Sequence, residues 1–243
     1  MIDSHGHINT QDVQNINTEV DKINRLQYLK AFVNVGLDYK TSGEVIELST
    51  KNNKFYSVIG VHPLYEGNMQ SIYDLYQQQD NTKVVGIGET GIDSMKDEKE
   101  QIYKFIASIE LSNTLHLPLI IHANNTNELV IKTLHENRPL YGFVFHCFQP
   151  NIEVLNQIMQ MEGYISLGTP ITRKTAKKSL EVIQKVDIYH LMIELDYPYM
   201  SQNAVLDGKN VFDRIKTQRH MEKEELEQIL DDNTKRFFKK MKL

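Results

Sequence analysis

Leu117-Pro118-Leu119-Ile120-Ile121-His122 is the stretch on which the fold turns. Leu119-Ile120-Ile121 is apolar without alternation, the pattern of a parallel strand covered on both faces, and it stops on an imidazole. Asn127–Leu134 follows, with looser helical spacing. The same order of apolar run, polar tip and amphipathic stretch repeats outward in both directions. Candidate strands fall at Met1–Ile8, Ala31–Leu37, Phe55–His62, Val84–Glu89, Leu119–His122, Gly142–Phe148, Gly163–Leu167 and Leu191–Asp196.

Helical spacing is clearest in Lys99–Leu115, where Ile102, Phe105, Ile106, Ile109 and Leu115 fall on or near one stripe. Asn151–Met161 and Glu222–Leu243 repeat it, and Ala176–Val186 fits more loosely. Thr10–Lys30 is polar and only weakly periodic, with a helix expected there. Strand then helix, about eight times over, predicts an α/β fold of the (β/α)8 TIM-barrel type, with a doubly wound open sheet as the competitor. No linker, low-complexity tract or repeat interrupts residues 1–243, so a single domain is expected.

The composition removes some functions. At 40% hydrophobic and 24% charged, the 243 residues have ample material for a core. A net charge of −5 and a pI near 6.0 carry no global nucleic-acid footprint, which leaves room for local cations only. The single Cys147 rules out an intramolecular disulfide and suits a reducing compartment. Met1-Ile2-Asp3-Ser4-His5 has no basic leader, and no run reaches the ~20 apolar residues of a membrane helix. A cytoplasmic protein without membrane contact is expected.

The histidines carry the functional signal. Strand ends cover roughly a sixth of a chain whose strands average about 5–6 residues, so one or two of nine histidines belong there by chance. Five are found: His5, His7, His62, His122 and His146. The carboxylates Glu89 and Asp196 also end apolar runs, where a charge is costly unless paired or metal-bound. Each alone has an ordinary explanation, such as a packed imidazole or a capping carboxylate. Together they form a ligand set for a pair of divalent metal ions. His116, His135, His190 and His220 fall in or beside helical stretches and read as surface or packing residues.

Glu89 lies within Gly86-Ile87-Gly88-Glu89-Thr90-Gly91, which also spells a dinucleotide fingerprint. A mid-chain carboxylate between the glycines would repel a pyrophosphate, so Gly88 and Gly91 read instead as room around a metal carboxylate.

Taken as a set, several stretches resemble the TatD family of metal-dependent deoxyribonucleases, within the amidohydrolase-type barrels. They are Asp3-Ser4-His5-Gly6-His7, Gly60-Val61-His62-Pro63, Gly86–Asp93, Leu117–His122, His146-Cys147-Phe148, Glu194-Leu195-Asp196-Tyr197-Pro198-Tyr199 and Asn233 before Arg236-Phe237-Phe238. The resemblance implies that His5, His7 and Asp196 bind one metal, His122 and His146 the other, and that Glu89 bridges them. It implies two ions (Zn, Mn or Mg), substrate phosphate beside His62, and hydrolysis of DNA phosphodiesters, often from the 3′ end. The chain also departs from the family. Ala123-Asn124-Asn125 stands where Ser-Arg-Asp is usual, so a cation and an acid are missing, and Leu195 replaces a threonine.

On this reading Asp196 orients and deprotonates the attacking water, and His62 donates a hydrogen bond to developing charge on phosphate. Lys174, with Arg173, Lys177 and Lys178, follows the seventh strand on the catalytic side and is a candidate to hold the nucleic-acid backbone. The alternatives are a metal-dependent hydrolase of a non-nucleic ester or amide, and a metal-binding protein without nuclease activity. Cys147 as a thiol nucleophile is disfavoured, because the neighbouring His146 is better used as a ligand.

Overall fold

Eight parallel strands alternate with helices in the computed structural model, which describes residues 1–8, 15–201 and 203–243. The strands are β1 (Ile2–Gly6), β2 (Ala31–Val35), β3 (Phe55–Ile59), β4 (Val84–Asp93), β5 (Leu119–Asn124), β6 (Phe143–Phe145), β7 (Tyr164–Leu167) and β8 (Leu191–Ile193), hydrogen-bonded in chain order. The described helices are α1 (Ile16–Arg25), α2 (Tyr39–Lys51), α3 (Met69–Gln78), α4 (Glu98–Leu115), α5 (Asn127–Glu136), α6 (Ile152–Gln160), α7 (Lys177–Lys185), α8 (Ala204–Arg219) and α9 (Lys223–Phe237). No helix among the described residues is long and apolar enough to cross a membrane. Residues 9–14, part of the stretch expected to be helical from Thr10, lie outside the described residues.

Sheet order excludes the open doubly wound alternative, because the ring closes. Gly6 bridges Tyr197 in parallel just beyond β8. Asp196 N donates to His5 O at 3.0 Å, and His7 N donates to Tyr197 O at 2.6 Å. Asp3 staples the same seam, its Oδ1 accepting from His5 N at 3.3 Å and Leu195 N at 3.1 Å.

Apolar residues form two layers. Side chains such as Phe32, Phe55, Ile87 and Ile121 pack outward under the helices. Val33, Val58, Val85, Ile120, Val144 and Met192, from six strands, join in a second cluster that fills the barrel interior. Phe237, Phe238 and Met241, at the end of α9 and beyond, belong to this inner cluster and plug the bottom of the barrel. Asn233 ties α9 to the approach to β8, donating from Nδ2 to Ile188 O and Leu191 O, each at 2.7 Å.

The period of two then lifts function above this floor. Two residues beyond Ile120 and Val144 on the same faces come His122 and His146. The helices begin on side-chain caps where the sequence supplies them. Asp38 and Thr41 form a capping box at α2, and Asn151 accepts from Glu153 N and Val154 N at α6.

Strand ends differ from the sequence expectation at the site. Glu89 does not end β4, which continues to Asp93, because pairing with β5 resumes after a register shift between Ile87 and Thr90. Gly88 and Gly91 lie within this stretch at φ 151° and 139°, and a Cβ would stand 2.7 Å from Ile120 O and 2.0 Å from His122 O. Their smallness is needed for the close approach of β5, more than for room at the carboxylate. Asp196 lies three residues past β8 at φ 47°.

Candidate metal centre

Two segments bring the first group of side chains together at the closure seam. His5 and His7 alternate along the end of β1, and their Nε2 atoms converge to 2.9 Å. Asp196 Oδ1 lies 3.8 Å from His5 Nε2 and 3.6 Å from His7 Nε2. The backbone bond from Asp196 N to His5 O is what sets the two strand ends level. The far nitrogen of His7, Nδ1, faces Val35 O at 2.9 Å, an acceptor that places a proton on Nδ1 and turns Nε2 toward the centre.

Glu89 stands between this group and a second one. Its Oε2 lies 3.4 Å from His5 Nε2 and 3.2 Å from His7 Nε2. Its Oε1 lies 2.7 Å from both His122 Nδ1 and His146 Nε2. One carboxylate thus turns one oxygen to each pair of imidazoles. The His5 and His146 rings stack at 4.1 Å between centroids, which makes the two groups neighbours. Burial opposes the charge on Glu89, yet His146 and His62, with the hydrogen bonds of His122 and His146, hold its carboxyl well below the usual range.

The outer nitrogens of the second pair meet carboxylates. His122 Nε2 lies 2.8 Å from Asp93 Oδ2, which also accepts from Asn124 Nδ2 at 3.2 Å. His146 Nδ1 lies 3.6 Å from Glu194 Oε1, and Ser166 Oγ donates to the other oxygen of Glu194. Unbroken alternation along Leu191–Asp196 would put Glu194 and Asp196 on one face, but β8 stops at Ile193, the chain turns and Glu194 faces His146. For Asp93 the sequence offered no signal beyond its place in a motif, since β4 was expected to stop four residues earlier.

His62 also reaches the centre, with Nε2 3.5 Å from Glu89 Oε1. Leu64 N donates to its Nδ1 at 3.1 Å, which fixes the proton on Nε2. Burial, opposed by Glu89 and reinforced by His122, lowers its pKa to about 3. His62 is therefore a neutral donor aimed into the site, whereas His122 Nδ1 and His146 Nε2 turn to Glu89 Oε1.

The donor set fits divalent cations. Ligand atoms of His5, His7 and Asp196 lie within 4.8 Å of one another, as do those of His5, Glu89 and His146. Asp196 Oδ1 is buried without a hydrogen-bond partner, a cost that a cation removes.

His7, His62, Glu89, His122, His146 and Asp196 line a cavity of about 670 Å³ at the carboxyl ends of the strands, with Tyr65, Phe148 and Tyr199 among its walls. Arg173 lines it too, whereas the exposed Lys174 does not. Cys147 faces the same space, but burial, with Glu194 and Asp196, pushes its thiol far up, which leaves it a poor nucleophile.

A family model described as TatD related DNase matches residues 2–239. YabD of Bacillus subtilis (strain 168), an uncharacterised metal-dependent hydrolase, is 30% identical over 254 residues, covering 98% of this chain and 99% of its own. YcfH of Escherichia coli (strain K12), likewise an uncharacterised metal-dependent hydrolase, is 24% identical over 98% of this chain and 95% of its own. Among solved structures, the TatD homologue YjjV of Escherichia coli K12 matches with a TM-score of 0.89 at 24% identity over 98% of both chains. A TatD family hydrolase of Entamoeba histolytica gives 0.84 at 18% identity, covering 99% of this chain and 98% of its own. Both structures share the barrel.

Proposed function

The chain belongs to the TatD related DNase family and is a metal-dependent hydrolase, and on that premise we propose that it cleaves phosphodiester bonds at exposed or single-stranded ends of DNA. The observation that carries the reading is the division of Glu89, one oxygen toward His5 and His7 and the other toward His122 and His146. With Asp196 on the first pair, this makes two adjoining sites that share a carboxylate. Divalent cations held there by His5, His7 and Asp196, and by His122 and His146, with Glu89 between them, would supply Lewis acidity toward a phosphoryl oxygen and would acidify water.

The chain's own groups do the rest. Asp196, its Oδ1 without a hydrogen-bond partner, orients the attacking water and takes its proton. His62 donates from Nε2 to the charge that builds on the phosphate, and being neutral it does so without competing for a cation. Lys174, exposed and next to Arg173 in the chain, would meet the backbone of a longer strand. An end or single-strand preference is supported by depth: His7 and Glu89 line the cavity yet are almost wholly buried, so a phosphate must enter deeply to reach them.

Purified protein supplied with Mg, Mn or Zn is expected to degrade single-stranded DNA, and His5→Ala is expected to abolish this while remaining folded by circular dichroism. Turnover of a chromogenic ester with DNA left intact assigns the site to a non-nucleic substrate instead. Bound metal with no turnover of either makes the chain a metal-binding protein.

Asp93 meets the outer nitrogen of His122 at 2.8 Å, and Glu194 stands 3.6 Å from that of His146. Asp93→Asn and Glu194→Gln are each expected to weaken metal binding by about 10–100-fold, the usual effect of removing a carboxylate behind a ligating imidazole. Titration calorimetry on the metal-free variants reads this directly. Wild-type affinity in both would leave the two carboxylates without that role.

A further inference from the structure

Arg173 is the one lysine or arginine among the described residues that line the cavity. Its side chain is exposed, and it makes no ion pair among the described residues. The turn beneath it is pinned on several sides. Arg173 N donates to Pro170 O at 3.3 Å, Thr169 Oγ1 to Met200 O at 2.7 Å and Thr172 Oγ1 to Thr169 O at 2.8 Å. Arg214 Nη2 reaches across from α8 to Thr172 O at 3.2 Å. The guanidinium thus has a fixed base and an uncommitted head.

The other polar groups of the walls are spent or neutral. Asn124 gives its amide to Asp93 and receives Gln149 Nε2 at 3.5 Å. His62 is a neutral donor committed to the centre. An anionic group that does not lie on the metal centre therefore has Arg173 as its cationic partner inside the cavity. A planar guanidinium suits phosphate through two parallel hydrogen bonds.

We propose that Arg173 binds the phosphate adjacent to the one being cleaved, so that the preferred substrate carries two phosphates in succession and its strand leaves the cavity across the start of α7. This rests on the nuclease reading of the centre and adds a direction and a minimum length to it. Outward from Arg173 the cations continue as exposed Lys174, Lys177 and Lys178, the last two opening α7. A strand following them meets positive charge at each step.

The test compares a thymidine dinucleotide, with one internucleotide phosphate, and a trinucleotide, with two, on metal-loaded enzyme. Wild type is expected to favour the trinucleotide. Arg173→Ala is expected to lose about 10–100-fold in kcat/KM on the trinucleotide, chiefly through KM, and less than about twofold on the dinucleotide. Arg173→Lys should recover part of the loss, since it restores charge without the fork. On the trinucleotide, the slope of log kcat/KM against log salt should fall by about 0.7 in Arg173→Ala. An unchanged ratio between the two substrates, equal losses on both, or a wild type indifferent to length overturns the proposal and leaves the nuclease reading standing. A wild type that cuts neither oligonucleotide but turns over a chromogenic diester overturns both.

Discussion

Glu89→Gln is expected to lower kcat/KM by roughly 10³-fold or more, about 4 kcal/mol of transition-state stabilisation, and to strip cations from both halves of the centre. One side chain has this reach because of its position between the imidazole pairs. Oε2 stands 3.2–3.4 Å from His7 and His5, and Oε1 stands 2.7 Å from His122 and His146. An amide keeps the shape but replaces one oxygen by a nitrogen that cannot coordinate, so one half loses a ligand outright. It also removes the anion that offsets cationic charge at both halves at once. The backbone should be little disturbed, since β4 is held by its pairing with β3 and β5 through residues on either side.

Glu89→Asp separates charge from reach. It retains the anion, but a side chain one carbon shorter cannot face both pairs, so about one bound cation per chain is expected. Plasma mass spectrometry of the dialysed variants, alongside steady-state kinetics, reads both outcomes. Two cations per chain in Glu89→Gln would remove the bridging role and the shared-carboxylate centre with it.

Much of this centre was legible in the sequence, for a physical reason. Barrel strands are covered on both faces, so runs such as Leu119-Ile120-Ile121 and Phe143-Val144-Phe145 are continuously apolar, and a polar residue at their ends stands out. His122 and His146 are found that way, and all eight strands with them. Helices were harder to find. The buried face of α2 carries Ser42 and Ser49 beside Val45 and Ile46, because Ser42 Oγ bonds the backbone of Gly60 and Ser49 Oγ meets Ser57 Oγ. Hydrogen bonds replace apolar contacts there, and the helical period is lost. In α3 the buried face reduces to Met69, Ile72 and Leu75, too few to be distinct among polar neighbours.

What supports the centre was hidden for a related reason. Asp93 reaches His122 only because β4 runs on past its register shift, and a shift changes which face later side chains occupy. Glu194 reaches His146 because β8 stops early. Neither event has a period to betray it. The cavity's cation has the same character: Arg173 and Lys174 are neighbours in a polar stretch, and the conformation of the turn decides that the first lines the cavity.

Asp196→Asn carries the second large effect, and it separates chemistry from assembly. The variant is expected to lose about 10²–10⁴-fold in kcat, the range for removing a positioned proton acceptor, with KM changed little. The residue is held at the closure seam by its backbone, Asp196 N donating to His5 O at 3.0 Å, so the substitution leaves the frame intact. The asparagine oxygen can still face His5 and His7, where Oδ1 now lies without a hydrogen-bond donor. Cation content is therefore expected to fall far less than turnover. His5→Ala gives the opposite signature, because it removes a ligating nitrogen and should lose cation and turnover together. Measuring kcat and cation content in the same preparations distinguishes the two. If Asp196→Asn loses cation in step with kcat, Asp196 acts through coordination alone and the proton must leave by another route. His62 is poorly suited to that task, since its inward nitrogen already carries hydrogen and its pKa lies near 3. Asp196 Oδ1, a carboxyl oxygen buried without a hydrogen-bond partner, is the better-placed acceptor.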